Sequence, residues 1–319
     1  MKSLNGFIVF SIMTLALACG SKKEEKSKTT VFKPKSAQEE IAEVSNLLAN
    51  RPKDVLLLKR RGNLLLQTEQ YFQAANDFKW GIFYNEQDQD LFLGLANAFK
   101  FQGKVDSALF VLKLVEQNLI PTNEVFLLAG EIHLIKRDYS KAIEAFDAVI
   151  KSAPFYAKAY YLKGLTFSEL KDTLRAISSI QTAIEQDPEF LDAYNSLSAL
   201  YVGKKDFRAG LQALKSAFLL NPYDELLNLN LAIVFRNMSE PDSAIKYYQR
   251  AIKINPNNKE AGLAVAQSLI KMDKVAEAMP YLDDYPLVTP FYLQLKINAY
   301  EKLGKVDSVK KYADQLNSL

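Results

Sequence analysis

The sequence has 319 residues, 49% of them apolar, and a formal net charge of +3; this exceeds one ordinary core, so two domains or one repeat array are expected. The positive charge belongs to residues 1–35, with seven lysines and two glutamates, and residues 36–319 carry a net of −2, which argues against a nucleic-acid partner because phosphates need a basic face. Cys19 and His133 are each alone of their type, which excludes an internal disulfide and a Cys/His metal cluster.

Residues 1–18 begin with Lys2 and continue as an apolar run from Phe7 to Ala18, broken by Ser11 and Thr14. A basic start, a short apolar segment and a small residue before the cut are the parts of a secretory signal peptide. The run is too short to span a bilayer as a helix. Leu15-Ala16-Leu17-Ala18-Cys19 resembles a bacterial lipobox, with Ala16 where that motif most often has Leu. The resemblance implies that Cys19 is lipidated and becomes the first residue of the mature chain. Two or three acyl chains hold a protein at a membrane surface. Gly20 in place of Asp then implies a lipid-anchored protein of the bacterial outer membrane facing the periplasm, while Lys22 to Glu25 leave the cell surface open. Residues 19–35, rich in Lys, Ser and Thr, are expected to form a disordered tether with an end-to-end distance of roughly 20–25 Å.

Ser36 followed by Glu39 is a capping box, and it opens a helix with Ile41, Val44, Leu47 and Leu48 on one side. Residues 36–54 therefore read as an N-terminal half-repeat. Beyond them one motif recurs. Pro154, Pro188, Pro222 and Pro256 are spaced by 34 residues, and small residues follow in register at Gly62, Ala96, Gly130, Gly164, Ser198, Ala232 and Ala266. A second small set lies at Ala74, Ala108, Ala142, Ala176, Gly210, Ala244 and Ala278, each followed four residues on by a bulky one such as Phe78, Phe146 or Tyr248. Bulky-small-bulky stripes such as Tyr160, Gly164 and Phe167 lie on one helical face, and the prolines end the second helix of each unit. No hairpin buries its stripe alone, so the units must stack. Seven repeats are expected over 55–289 and a terminal hairpin over 290–319. Pro280 inside a helix, with Pro286 and Pro290 after it, predicts a kink and a candidate hinge. In the last helix Val309, Tyr312, Ala313 and Leu316 are expected to face inward as a cap.

This pattern resembles the tetratricopeptide repeat. The resemblance implies an all-α, right-handed solenoid of about eight helical hairpins with an N-terminal capping helix, and a concave groove lined by the first helix of each hairpin. By that analogy the groove includes Lys59, Asn63, Asn97, Lys100, Tyr161, Asn195, Asn230 and Asn298. Asparagine amides donate and accept together, so a ladder of them suits an extended peptide backbone. Family members that bind chaperone C-termini use a two-carboxylate clamp. Lys59 and Asn63 match its first part, but Gly94, Glu124 and Leu128 fill the remaining places, so that triplet holds no clamp.

Catalytic motifs are missing from the sequence: no Gly-x-Ser-x-Gly, His-Glu-x-x-His or phosphate-binding glycine loop occurs. His133 stands where sister repeats carry Phe99, Phe167, Tyr201 and Phe235, and reads as a core-lining imidazole. Asp283 and Asp284 read as solvated surface, and Trp80 as packing. No cofactor, metal or enzymatic activity is expected. The sequence points to a membrane-anchored scaffold or adaptor in envelope assembly, binding a protein or extended peptide. A structural homo-oligomer built through the convex face or the C-terminal hairpin is the alternative, and the sequence does not fix the oligomeric state.

Overall fold

The computed structural model describes residues 35–318. The leader, Cys19 and the tether up to residue 34 lie outside these residues. Among the described residues there are seventeen helices and no strand. The first, α1 (Ala37–Asn50), is closed by the Ser36–Glu39 capping box, the Glu39 carboxylate accepting the Ser36 N–H at 2.7 Å. Lys35, read from sequence as tether, pairs with Glu43 of this helix at 2.6 Å.

Eight hairpins follow. Their first helices are α2 (Val55–Gln67), α4 (Gln89–Phe101), α6 (Asn123–Ile135), α8 (Ala157–Glu169), α10 (Leu191–Gly203), α12 (Glu225–Asn237), α14 (Lys259–Lys271) and α16 (Pro290–Lys302). Their second helices are α3 (Tyr71–Tyr84), α5 (Val105–Asn118), α7 (Tyr139–Ser152), α9 (Thr173–Gln186), α11 (Phe207–Leu220), α13 (Pro241–Ile254), α15 (Val275–Asp283) and α17 (Val306–Asn317). Each helix packs mainly on its neighbours in sequence. First helices also meet across repeats, α2 on α4, α4 on α6, α10 on α12 and α14 on α16. The first helices thus form the inner wall of a solenoid, and the second helices form the outer one.

Every hairpin turns through the same backbone. The residue after the first helix's C-cap has a left-handed φ in all eight: Glu69, Gly103, Arg137, Lys171, Lys205, Ser239, Asp273 and Gly304, at 61–74°. The next N–H then donates back to a carbonyl five residues earlier at 2.8–3.0 Å, as from Gln70 to Leu65 and from Asp138 to His133. This is a Schellman termination, which satisfies helix-end carbonyls that water or side chains would otherwise serve. Six of the eight hold this conformation without glycine.

The core runs along the stack between the two walls. Ala74, Ala108, Ala142, Ala176, Ala244 and Ala278 are wholly buried, as are Phe78, Phe146, Ile180, Leu214 and Leu282. The small residues let large ones reach between helices: a Cβ on Gly62 would lie 2.8 Å from the Phe78 ring, and one on Gly130 2.5 Å from the Phe146 ring.

The seventh repeat departs from its sisters. Proline lacks the N–H that would continue the hydrogen-bond ladder, and α15, containing Pro280, has 9 residues against 14 in each of the second helices α3, α5, α7, α9, α11 and α13. The chain then runs without helix to Pro290, so the second helix is shortened at the expected kink. Side chains tie this joint on both sides. Asp283 pairs with Lys296, and Asp284 pairs with Lys259 at 2.7 Å. Tyr285 donates to Glu260 at 2.5 Å and stacks on Tyr292 at 5.5 Å. The two aspartates remain exposed, as read from sequence, and in addition bridge the joint. Lys296 is nearly buried and lies 5.7–5.8 Å from the rings of Tyr292, Tyr300 and Tyr312.

Trp80, read as packing, is 55% exposed and belongs to an open aromatic cluster with Phe83 and Tyr84, at 5.8 and 5.9 Å. In α17 Val309, Tyr312, Ala313 and Leu316 form the face turned to α16, as expected, while Lys310, Lys311 and Asp314 are exposed; none of the four is fully buried.

Candidate functional site: the concave wall

The inner wall is built from one repeating physical choice. A first helix buries its small residues and one bulky row between hairpins, and this leaves a second face looking into the groove. The sequence-expected groove residues all lie on first helices: Lys59 and Asn63 on α2, Asn97 and Lys100 on α4, Tyr161 on α8, Asn195 on α10, Asn230 on α12 and Asn298 on α16.

Their states differ. Lys59 is largely covered and donates to Asp88 at 2.8 Å and Asp90 at 3.0 Å; its pKa is raised chiefly by the hydrogen bond it donates to Asp88, against the opposing effect of burial. Lys100 and Lys158 both reach Glu131 at 2.9 Å, a network joining repeats 2, 3 and 4. Burial alone would push the Glu131 carboxyl up, but the hydrogen bonds from Lys158 and Lys100 outweigh it and hold the group below the usual carboxylate range. Asn195 is 8% exposed and accepts from the Asn230 amide at 2.9 Å. The Tyr161 hydroxyl lies 3.2 Å from the Ser196 hydroxyl, and its ring packs on Phe190 at 4.8 Å. Asn97 donates to the Leu93 carbonyl at 3.0 Å, and Asn298 accepts from Gln294 at 3.1 Å. Asn63 is exposed.

The structure therefore places these residues on one wall but does not assemble them into one continuous amide ladder. Several hydrogen bonds run between adjacent repeats, from Tyr161 to Ser196 and from Asn230 to Asn195, 35 residues apart in each case. That spacing, one more than the repeat, was a signal present in the sequence. It joins neighbouring first helices slightly out of step.

His133 is largely covered and replaces an aromatic, as its position implies. Burial lowers its pKa, with Asp138 opposing at 3.6 Å from Nδ1. No group of three or more potential metal-ligating side chains exists among the described residues. None of the described helices is long and apolar enough to cross a membrane.

Sequence models of the tetratricopeptide repeat match residues 127–189 and 228–258. No curated protein is similar to the chain in sequence. Solved structures with the same fold include the APC/C hetero-tetramer Cut9–Hcn1, at 20% identity over 73% of this chain and TM-score 0.57; this chain covers 46% of that one, less than half its length. Pseudomonas aeruginosa pilF aligns at 20% identity over 61% of this chain and 90% of its own, with TM-score 0.54. A tetratricopeptide repeat protein from Parabacteroides merdae aligns at 15% identity over 71% of this chain and 91% of its own, with TM-score 0.52. At such identities the likeness is one of fold. The chain thus carries tetratricopeptide repeats at 127–189 and 228–258, and its stacked hairpins have the fold of a tetratricopeptide-repeat solenoid.

Proposed function

We propose that the chain is a membrane-anchored, non-catalytic scaffold or adaptor of the bacterial envelope that holds an extended peptide or protein segment in its concave groove. Tetratricopeptide repeats generally mediate protein–protein interactions. The single observation that carries the groove assignment is the inner wall itself: a line of first helices bearing polar side chains, with Asn63, Asn237 and Gln294 exposed. Cys19 in its lipobox-like setting supports anchoring, and a lipid anchor places the groove within tether reach of the membrane. Lys59, Asn63, Asn97, Lys100, Tyr161, Asn195, Asn230 and Asn298 are the groove positions proposed to contact or shape the partner site.

Two experiments separate the parts of this reading. Replacing Asn63, Asn97 and Asn230 together by Ala is expected to abolish partner capture from detergent-solubilised envelope with helicity unchanged; undiminished capture removes the groove from the account. Cys19→Ser is expected to move the protein from the membrane to the soluble fraction, and retention in the membrane contradicts the anchor.

A second reading, a homo-oligomer assembled through the C-terminal hairpin, is favoured by the half-covered apolar stripe of α17. Light scattering on the full chain decides it: a concentration-independent monomer rules it out.

A further inference from the structure

The concave wall has two electrostatic halves. In repeats 1 to 4 its cations are matched internally, Lys59 by Asp88 and Asp90, and Lys100 and Lys158 by Glu131. In repeats 6 and 7 the pattern breaks. Arg236, in the last turn of α12, and Lys271, in the last turn of α14, are exposed and have no carboxylate at ion-pair distance among the described residues.

Both cations line one cleft of about 230 Å³, together with Ser239, Pro241, Gln267, Ser268 and Met272. No acidic side chain is among these lining residues. The nearest carboxylates in sequence are engaged elsewhere: Asp273 pairs with Lys302 at 2.7 Å, Glu240 accepts from Ser243 at 3.4 Å, and Asp242 faces Lys274 at 3.9 Å. The cleft opens where the inner wall loosens, since α12 and α14 touch less extensively than α10 and α12 or α14 and α16. Two like charges facing one recess raise its potential, and an incoming anion relieves it.

The geometry points to an acidic extended peptide as the partner of this groove, with a carboxylate seated at Arg236 and Lys271. The inference rests on the concave wall being the peptide-binding surface. A guanidinium matches a carboxylate through paired N–H donors, and an ammonium beside it adds a point charge. Gln267 supplies an amide within the cleft, and exposed Asn237 supplies a side-chain carbonyl along α12, its Nδ2 donating to the Ile233 carbonyl at 2.9 Å, which suits a peptide backbone flanking the acidic residue. The recess is large enough for one side-chain carboxylate and a few waters. A phosphate polymer fits less well, because two cations neutralise few phosphates and the body carries a net of −2, which repels a polyanion along the remaining length.

The test is a random-sequence peptide array probed with the full chain, followed by anisotropy with the best fluorescein-labelled binder. Bound peptides are expected to be enriched in Asp and Glu. Arg236→Gln and Lys271→Gln are each expected to weaken the best binder by about tenfold, while Lys215→Gln, on the outer helix α11, leaves affinity unchanged. Circular dichroism of each variant checks the fold. Binders without acidic enrichment, or full affinity in both cleft variants, overturn the acidic assignment but leave the groove reading standing. An array with no binder overturns both. Tighter binding of a single-stranded oligonucleotide, lost in the same two variants, overturns the peptide in favour of nucleic acid.

Discussion

The ring of Phe78 sits against both Gly62 of its own repeat and Gly94 of the next, so one side chain on a second helix sets the approach of two first helices. Such a wedge works because neither glycine has a side chain to displace the ring, and Phe78 is wholly buried between them.

Gly94→Ala is accordingly expected to lower stability by about 1–3 kcal/mol through overpacking, even though alanine is the better helix former. The matched control is Gly262→Ala. A Cβ there would meet nothing nearer than the Tyr281 ring at 3.6 Å, so the change should gain up to about 1 kcal/mol from helix propensity. Urea denaturation followed by circular dichroism measures both. Equal effects of the two substitutions would remove the wedge from the explanation.

The hairpin turns give a second contrast. A left-handed residue with a Cβ is strained by roughly 1–2 kcal/mol relative to glycine, offset in part by glycine's larger unfolded-state entropy. Lys171→Gly, at φ 61° in an exposed turn, should therefore raise the melting temperature slightly. Gly103→Ala, at φ 74°, should lower stability by about 1 kcal/mol. Thermal melts of the two variants check the signs.

At the N-terminal end, Arg61 donates twice to Asp77 at 2.7 Å and once to Ser45 of α1 at 3.1 Å. Asp77 is 5% exposed, so Asp77→Ala leaves a poorly solvated cation and is expected to cost about 3 kcal/mol. Hydrogen exchange should report the loss first in α1, which this network ties to α2 and α3. Unchanged protection of α1 would show that its apolar face, Val44 and Leu48, holds it without the ion pair.

His133 supplies the pH dependence. Its folded pKa lies below the ordinary 6.5 because burial disfavours the imidazolium. The unfolded chain binds the proton more readily, so stability is complete above 6.5 and falls as pH drops toward the folded value. Glu131 acts in a lower window: its carboxyl is held below 4.5 in the fold, so its contribution is present above that value and lost as pH falls further. His133→Phe, the residue type of sister repeats, is expected to flatten the melting temperature between about pH 5 and 7 without changing the loss at lower pH. A slope that survives the substitution assigns the upper window to another group.

The sequence makes the architecture legible because its period is written by residues that have little choice. Pro154, Pro188, Pro222 and Pro256 end helices, and the Gly and Ala positions admit one large neighbour each. The wall's polar chemistry was less legible. Whether Lys100 is free depends on Glu131 and Lys158, 31 and 58 residues away, meeting it across three first helices. Residue type likewise said nothing of the burial of Asn195, which follows from its pairing with Asn230. Asp283 and Asp284 are solvated as their types suggest, but their partners, Lys296 and Lys259, were hidden because they lie on either side of the joint. A repeat register assigns a face to a residue, while its partners depend on how the hairpins stack.

The concave wall is the surface proposed to hold the partner. A photo-crosslinking amino acid placed in cells at Asn63 and Gln267, on the inner wall, and at Phe110 and Lys215, on the outer helices, tests it most directly. A discrete adduct is expected from the two inner positions and none from the outer two. Adducts from Phe110 and Lys215 alone would contradict it and move the working surface to the convex side.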